Sequence, residues 1–103
     1  MYRQGDVLVF SVKNLPNNLE PIERENGHII LAHGEATGHA HAIKSEHATL
    51  FRDPKLAAIF MCVADESVTL AHDEHALIAI PPGSYEVRRQ REYHPEAIRN
   101  VTD

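Results

Sequence analysis

Cysteine is nearly absent from this chain, with Cys62 the single one among 103 residues. That excludes an intrachain disulfide and any multi-cysteine zinc site, and it fits a reducing cytoplasm. Long apolar runs are missing as well. The stretch from Val7 to Val12 behind Met1 to Asp6 is too short and wrongly flanked for a signal peptide or a membrane span, so the expected location is the cytoplasm, with no membrane partner. An excess of positive charge is also lacking. Fifteen acidic against ten basic residues leave a net charge of −5, the wrong sign for wrapping a phosphate backbone without sequence preference. There is no Gly-x-Ser-x-Gly elbow, no phosphate-binding glycine loop, no internal repeat and no low-complexity segment. The length leaves room for one hydrophobic core, so residues 1–103 read as a single domain. So short a chain is marginally stable alone, and a bound metal or a second copy in a homodimer would support it.

What is present is a succession of short apolar runs punctuated by turn signals. Gly5-Asp6 opens a strand from Val7 to Val12 that is rich in β-branched residues. Residues 14–27 carry Pro16, Asn17, Asn18, Pro21, Asn26 and Gly27, the composition of a long surface loop. His28 to His33 reads as a buried strand, Gly34 to Gly38 as a tight bend, and His39 to Ile43 as the strand that follows. Further strands are expected at Ala48 to Arg52, Leu56 to Val63, Ser67 to His72, Ala76 to Ile80 and Ser84 to Tyr93. Asp53-Pro54, Asp73-Glu74 and Pro81-Pro82-Gly83 supply the turns between them. Pro95 to Arg99 allows a short C-terminal helical turn at most. The sum is an all-β protein, a small antiparallel barrel or sandwich. A competing reading makes Ser67 to Ile80 one amphipathic helix, because periodicity alone does not settle short apolar runs.

Histidine is the compositional anomaly, with eight residues at 28, 33, 39, 41, 47, 72, 75 and 94. Imidazole is the commonest metal ligand and titrates near neutral pH. In His39-Ala40-His41 strand alternation puts both rings on one side, close enough to chelate one divalent ion. Two completions of such a site compete: His72 and His75 around the expected turn, or the carboxylates Glu46 and Glu86. An imidazole-rich shell suits a divalent transition metal, whether Zn, Fe, Ni or Cu. An open coordination position would add metal-assisted chemistry on a small molecule. The bland alternative is a set of exposed polar strand residues. A metal-free alternative is that the histidines titrate and switch stability or assembly with pH.

The run His39-Ala40-His41-Ala42-Ile43-Lys44-Ser45-Glu46 resembles the first cupin motif, two histidines one apart followed by a glutamate. Ala76 to Glu86 resembles the second, an apolar strand running into a Pro-x-Gly turn. The resemblance spans roughly residues 28 to 93 and implies a cupin-like jelly roll with a metal inside. Three departures matter: His33 and His75 stand where the opening glycines belong, and Glu86 stands where the second motif has its ligand histidine. The last ligand is then Glu86, His75 or His72. The strings Gly34 to His41 and Gln90 to Tyr93 also resemble a group of short bacterial proteins of unknown function.

A second functional class rests on Arg88-Arg89-Gln90-Arg91. Guanidinium groups grip phosphates and carboxylates, and alternation places Tyr85, Arg89, Arg91 and Tyr93 on one strand face. Such a face would stack on a short single strand of nucleic acid or dock a protein partner. The bland reading is a salt-bridged strand face, since the acids from Glu86 to Asp103 balance the arginines. Cys62 lies in the most apolar run and reads as a core thiol. His28, His33 and His94 read as structural or solvent-exposed.

Overall fold

The computed structural model describes residues 1–34 and 39–90. Ten strands run through them: β1 (Tyr2–Gln4), β2 (Val7–Val12), β3 (Glu20–Pro21), β4 (Ile29–His33), β5 (Ala40–Ile43), β6 (Ala48–Arg52), β7 (Ile59–Val63), β8 (Val68–His72), β9 (His75–Ile80) and β10 (Gly83–Arg89). They build two antiparallel sheets, a six-stranded one in the order β1-β2-β10-β7-β6-β3 and a four-stranded one in the order β4-β5-β8-β9. The all-β expectation holds, and the helical reading of Ser67 to Ile80 gives way to two strands. No helix among the described residues is long and apolar enough to cross a membrane.

The period-two pattern of the strands explains why the sheets face each other. Val7 and Val9 of β2, Leu50 of β6, Met61 and Val63 of β7, and Tyr85 and Val87 of β10 turn inward from the larger sheet. Ile29 of β4, Ile43 of β5, Val68 and Leu70 of β8, and Ile80 of β9 meet them from the smaller one. Burial of each such aliphatic side chain stabilises the fold by about 1.5–3 kcal/mol relative to exposure. Two polar side chains lie in this interior, Gln4 at 2% and His41 at 4% exposure.

Two local expectations are corrected. The apolar run from Leu56 does not begin a strand. The Asp53 carbonyl accepts from Ala57 N–H, the Asp53 N–H donates to the Ala58 carbonyl, and the Asp53 carboxylate accepts from Lys55 N–H. That closes a turn with Ala57 at φ 57°, so Leu56 is left 76% exposed and β7 starts at Ile59. The loop over 14–27 contains the two-residue β3, paired with Arg52 and Phe51 of β6. The last strand is described to Arg89, and Arg91, Tyr93 and the helical turn expected over 95–99 lie outside the described residues, as does most of the bend over 34–38.

Register shifts matter more for function than the strands themselves. In the β8–β9 hairpin Leu70 pairs with Ile78 but His72 pairs with His75, so β9 carries one residue more than β8 across the same span. Ile78 and Ile80 turn inward on the even positions, and the shift lets the odd His75 share the side of His72. A second shift, in β4 between Ile30 and Ala32, sets Ala32 opposite His41.

Leu70, fully buried, and Leu77, 68% exposed, test this arrangement of faces. Leu70→Ala is expected to lower stability by about 2–5 kcal/mol and Leu77→Ala by no more than about 0.5 kcal/mol, both read from urea-unfolding midpoints.

Candidate functional site

Two hairpin turns meet at one mouth between the sheets. The first is Gly5-Asp6, which joins β1 to β2 with Gln4 opposite Val7. Gly5 has φ +58°, at the loop position where a two-residue hairpin of this kind takes glycine. Space requires glycine there too, because a Cβ on Gly5 would stand 2.7 Å from His75 Nε2 and 3.3 Å from His41 Cε1. The second turn is Asp73-Glu74, between the paired His72 and His75.

Four of the eight histidines gather here. The ring centroids of His41 and His72 are 4.2 Å apart, those of His72 and His75 4.8 Å, and those of His41 and His75 5.8 Å. His39 stands at the outer edge, 5.9 Å from His72, with Nδ1 3.0 Å from Glu74 Oε1 and Nε2 3.4 Å from Asp73 Oδ2. The two histidines of His39-Ala40-His41 therefore differ in surroundings, one half-exposed against acids and the other in the interior.

His41 is held by a residue that sequence reasoning missed. Gln4 Nε2 donates to the carbonyls of Leu70 and Ala76, each at 2.9 Å. With both amide hydrogens so used, Gln4 Oε1 is the atom facing His41 Nδ1 at 2.9 Å, and an acceptor there makes Nδ1 the donor. The neutral His41 ring thus keeps its lone pair on Nε2. That nitrogen lies 3.5 Å from Asp6 Oδ1, while Asp6 Oδ2 accepts from Arg89 Nε at 2.8 Å. His72 is oriented as well, since its Nδ1 accepts from the Glu74 backbone N–H at 3.0 Å.

The electrostatics follow from depth and neighbours. Burial holds His41 below the ordinary imidazole range, and His72, His75 and Arg89 push the same way against the opposing pull of Asp6. Burial alone would raise the Asp6 carboxyl, but the hydrogen bond and charge of Arg89 outweigh it and leave Asp6 below the usual carboxylate value. The mouth therefore pairs a neutral imidazole with an ionised carboxylate.

The other expected residues sit elsewhere. Glu46 is exposed in the turn after β5, at the end away from His39. Glu86 alternates with the inward Tyr85 and Val87 and receives two hydrogen bonds from Arg88, whose guanidinium also covers the Phe10 ring. The cupin-like spacing is thus present in the sequence while its glutamate positions stand apart from His41. Tyr85 and Arg89 do share a face, and it is the inner one. Tyr85 is 2% exposed, its hydroxyl donates to the Pro81 carbonyl, and its ring meets Tyr2 edge-on, so it offers no stacking platform. Of the remaining histidines, His33 meets Glu25, His47 meets Glu66, and His28 meets the Asn26 carbonyl, and His94 lies outside the described residues.

Beside the cluster lies a cleft of about 450 Å³ between the sheets, walled by Leu31, Ala32, Ile59 and Val87 and bordered by Arg88 and Arg89. Its Ala32 is the cross-strand neighbour of His41, and its Arg89 is the partner of Asp6. Among the described residues, no group of three or more His, Cys, Asp or Glu side chains is arranged to hold a metal ion as it stands.

A histidine kept neutral by folding links stability to pH. The unfolded chain binds a proton near pH 6.5 and the folded chain only at lower pH. The contribution of His41 is therefore complete above about pH 6.5 and is lost as pH falls through the lowered native value. In chelator-treated buffer, unfolding free energy is expected to decline below about pH 6.5, and His41→Gln is expected to flatten that decline in the same titration.

No curated protein and no solved structure matches the chain. A family model described as Domain of unknown function (DUF8820) matches residues 3–90, a stretch that runs from β1 past the end of β10 and contains Gln4, Asp6, His41, His72, His75 and Arg89, and the chain belongs to that family.

Proposed function

We propose that this chain is a small metal-binding β protein whose ion is held at the mouth where His41, His72 and His75 meet, with His39 at the edge. The observation that carries the reading is the packing of four imidazoles from β5, β8, β9 and the entry to β5 into one contiguous group. Imidazole gathered in this way, partly out of water and with one ring fixed from behind, is the donor type that zinc and its neighbours prefer. Uptake of the ion draws the donors together. His72 in particular would exchange its bond from the Glu74 N–H for a role at the metal.

The adjoining cleft gives the reading a substrate side. Its volume of about 450 Å³ falls within the range of small-molecule sites, and two of its lining residues are neighbours of the mouth, Ala32 opposite His41 in the sheet and Arg89 bonded to Asp6. A metal with an open position there would act on a small molecule as a Lewis acid or through a bound water.

Equilibrium dialysis of the chelator-stripped chain against Zn²⁺ or Co²⁺ is expected to give about one equivalent bound. His41→Ala and His75→Ala are each expected to remove it while circular dichroism stays that of the folded sheet. A chain that takes up neither ion, or variants that keep the full equivalent, would overturn the proposal.

A further inference from the structure

The gap between His41 Nε2 and Asp6 Oδ1 is unusual in kind. Gln4 fixes the His41 proton on Nδ1, so the other ring nitrogen and a carboxylate oxygen face each other across 3.5 Å. Two acceptors in that position repel unless something positive or hydrogen-bearing stands between them. A water donating to both would hold them about 4.4 Å apart at ordinary hydrogen-bond lengths, so the gap is too narrow for one. A proton on Nε2 would serve, but an N···O separation of 3.5 Å is long for the hydrogen bond it would make. The spacing matches something else. Two donors on one tetrahedral ion, each about 2.0–2.2 Å from it, stand about 3.3–3.6 Å apart.

We infer that Asp6 is a direct ligand of the ion, through Oδ1, together with His41 Nε2. This deepens the metal-binding reading and rests on it. The carboxylate is already aimed, because its second oxygen is fixed by Arg89 Nε at 2.8 Å and the backbone carbonyl of Asp6 accepts from Gln90 N–H at 2.7 Å. His41 is aimed from its far side by Gln4. Each ligand thus has its own orienting partner, the arrangement by which proteins fix metal-bound imidazoles and carboxylates. His75 Nε2 stands on the same side, since a Cβ on Gly5, the residue before Asp6, would lie 2.7 Å from it and 3.3 Å from His41 Cε1. The donor set becomes two or three imidazole nitrogens and one carboxylate oxygen. Such a set with tetrahedral spacing selects zinc-like divalent ions over the soft monovalent copper that thiolates and thioethers prefer. Gln4 and Arg89 are positioning residues in this arrangement, and neither touches the ion.

The test uses the full chain and cobalt, whose visible absorption reports its ligands. Competition with a chromophoric chelator gives the affinity. Asp6→Asn keeps an oxygen to accept from Arg89, and it is expected to weaken Co²⁺ binding by about 100-fold or more, beyond what loss of an orienting partner costs. Glu66→Gln removes a negative charge that meets His47 outside the cluster, and is expected to change affinity by less than about threefold. Asp6→Cys places a thiolate where the carboxylate was and is expected to add an intense sulfur-to-cobalt charge-transfer band, which Cys62 in the unaltered chain does not produce. Unchanged affinity in Asp6→Asn, or weakened affinity with no new band in Asp6→Cys, overturns the assignment of Asp6 and leaves the histidine reading standing. An unaltered chain that binds no cobalt overturns both.

Discussion

The Gln4 carboxamide is the interaction on which the mouth of this protein depends. It is the one buried side chain from the edge strand of the larger sheet that bonds three strands of the smaller one: the Leu70 carbonyl on β8, the Ala76 carbonyl on β9 and His41 on β5. A hydrophobic residue of the same size would pack there, but it would leave the Leu70 carbonyl and the His41 imidazole N–H without partners in the interior, at about 1–3 kcal/mol for each. It would also release the His41 ring to take either tautomer. One amide therefore joins the sheets and decides which nitrogen of His41 looks toward Asp6.

The rest of the site is built by irregularity laid on a regular sandwich. A β9 in uniform register would send His75 to the opposite face from His72. The extra residue of β9 between His75 and Ile78 reverses that, and the positive-φ glycine of the first hairpin leaves room for His75 Nε2. Arg89 closes the arrangement from the end of β10, where it pairs with Val7 across the sheet and ion-pairs with Asp6. These devices sit at strand ends and turns while the inward Val, Ile and Leu rows remain unbroken, which separates the packing that stabilises the fold from the geometry that equips it.

Much of the fold was legible because strands write themselves locally. Val7 to Val12 and Ala48 to Arg52 are read from end to end by β-branched content and alternation, and Asp73-Glu74 is read as a turn by composition. Leu56 to Ala58 misleads because their apolar character suggests a strand, whereas the Asp53 carbonyl, N–H and carboxylate impose a turn on them. The histidine cluster was legible in part. The abundance of the residue and the His72-x-x-His75 spacing around a turn pointed to those rings, and the fold brings them to His41. Gln4 and Asp6 carried no such signal. Their side-chain hydrogen bonds join residues 37 to 83 positions apart, no local pattern marks a glutamine as an interior one, and an aspartate after glycine reads only as a turn. Glu46 and Glu86 show the converse, a spacing familiar in sequence whose side chains the sheets direct elsewhere.

The wide separation of these contacts also governs how the chain acquires its site. Gln4 reaches across 66 and 72 residues, Asp6 across 83 and Arg3 across 87. Contacts of such high order are entropically costly to close early, so they form with the last assembly of the sheets rather than before it. On a ribosome the first hairpin emerges long before β8, β9 and β10 exist to receive it. The mouth is therefore absent from every shorter nascent chain, and it comes into being only when the segment through Arg89 has cleared the exit tunnel and the two edges of the molecule close on each other.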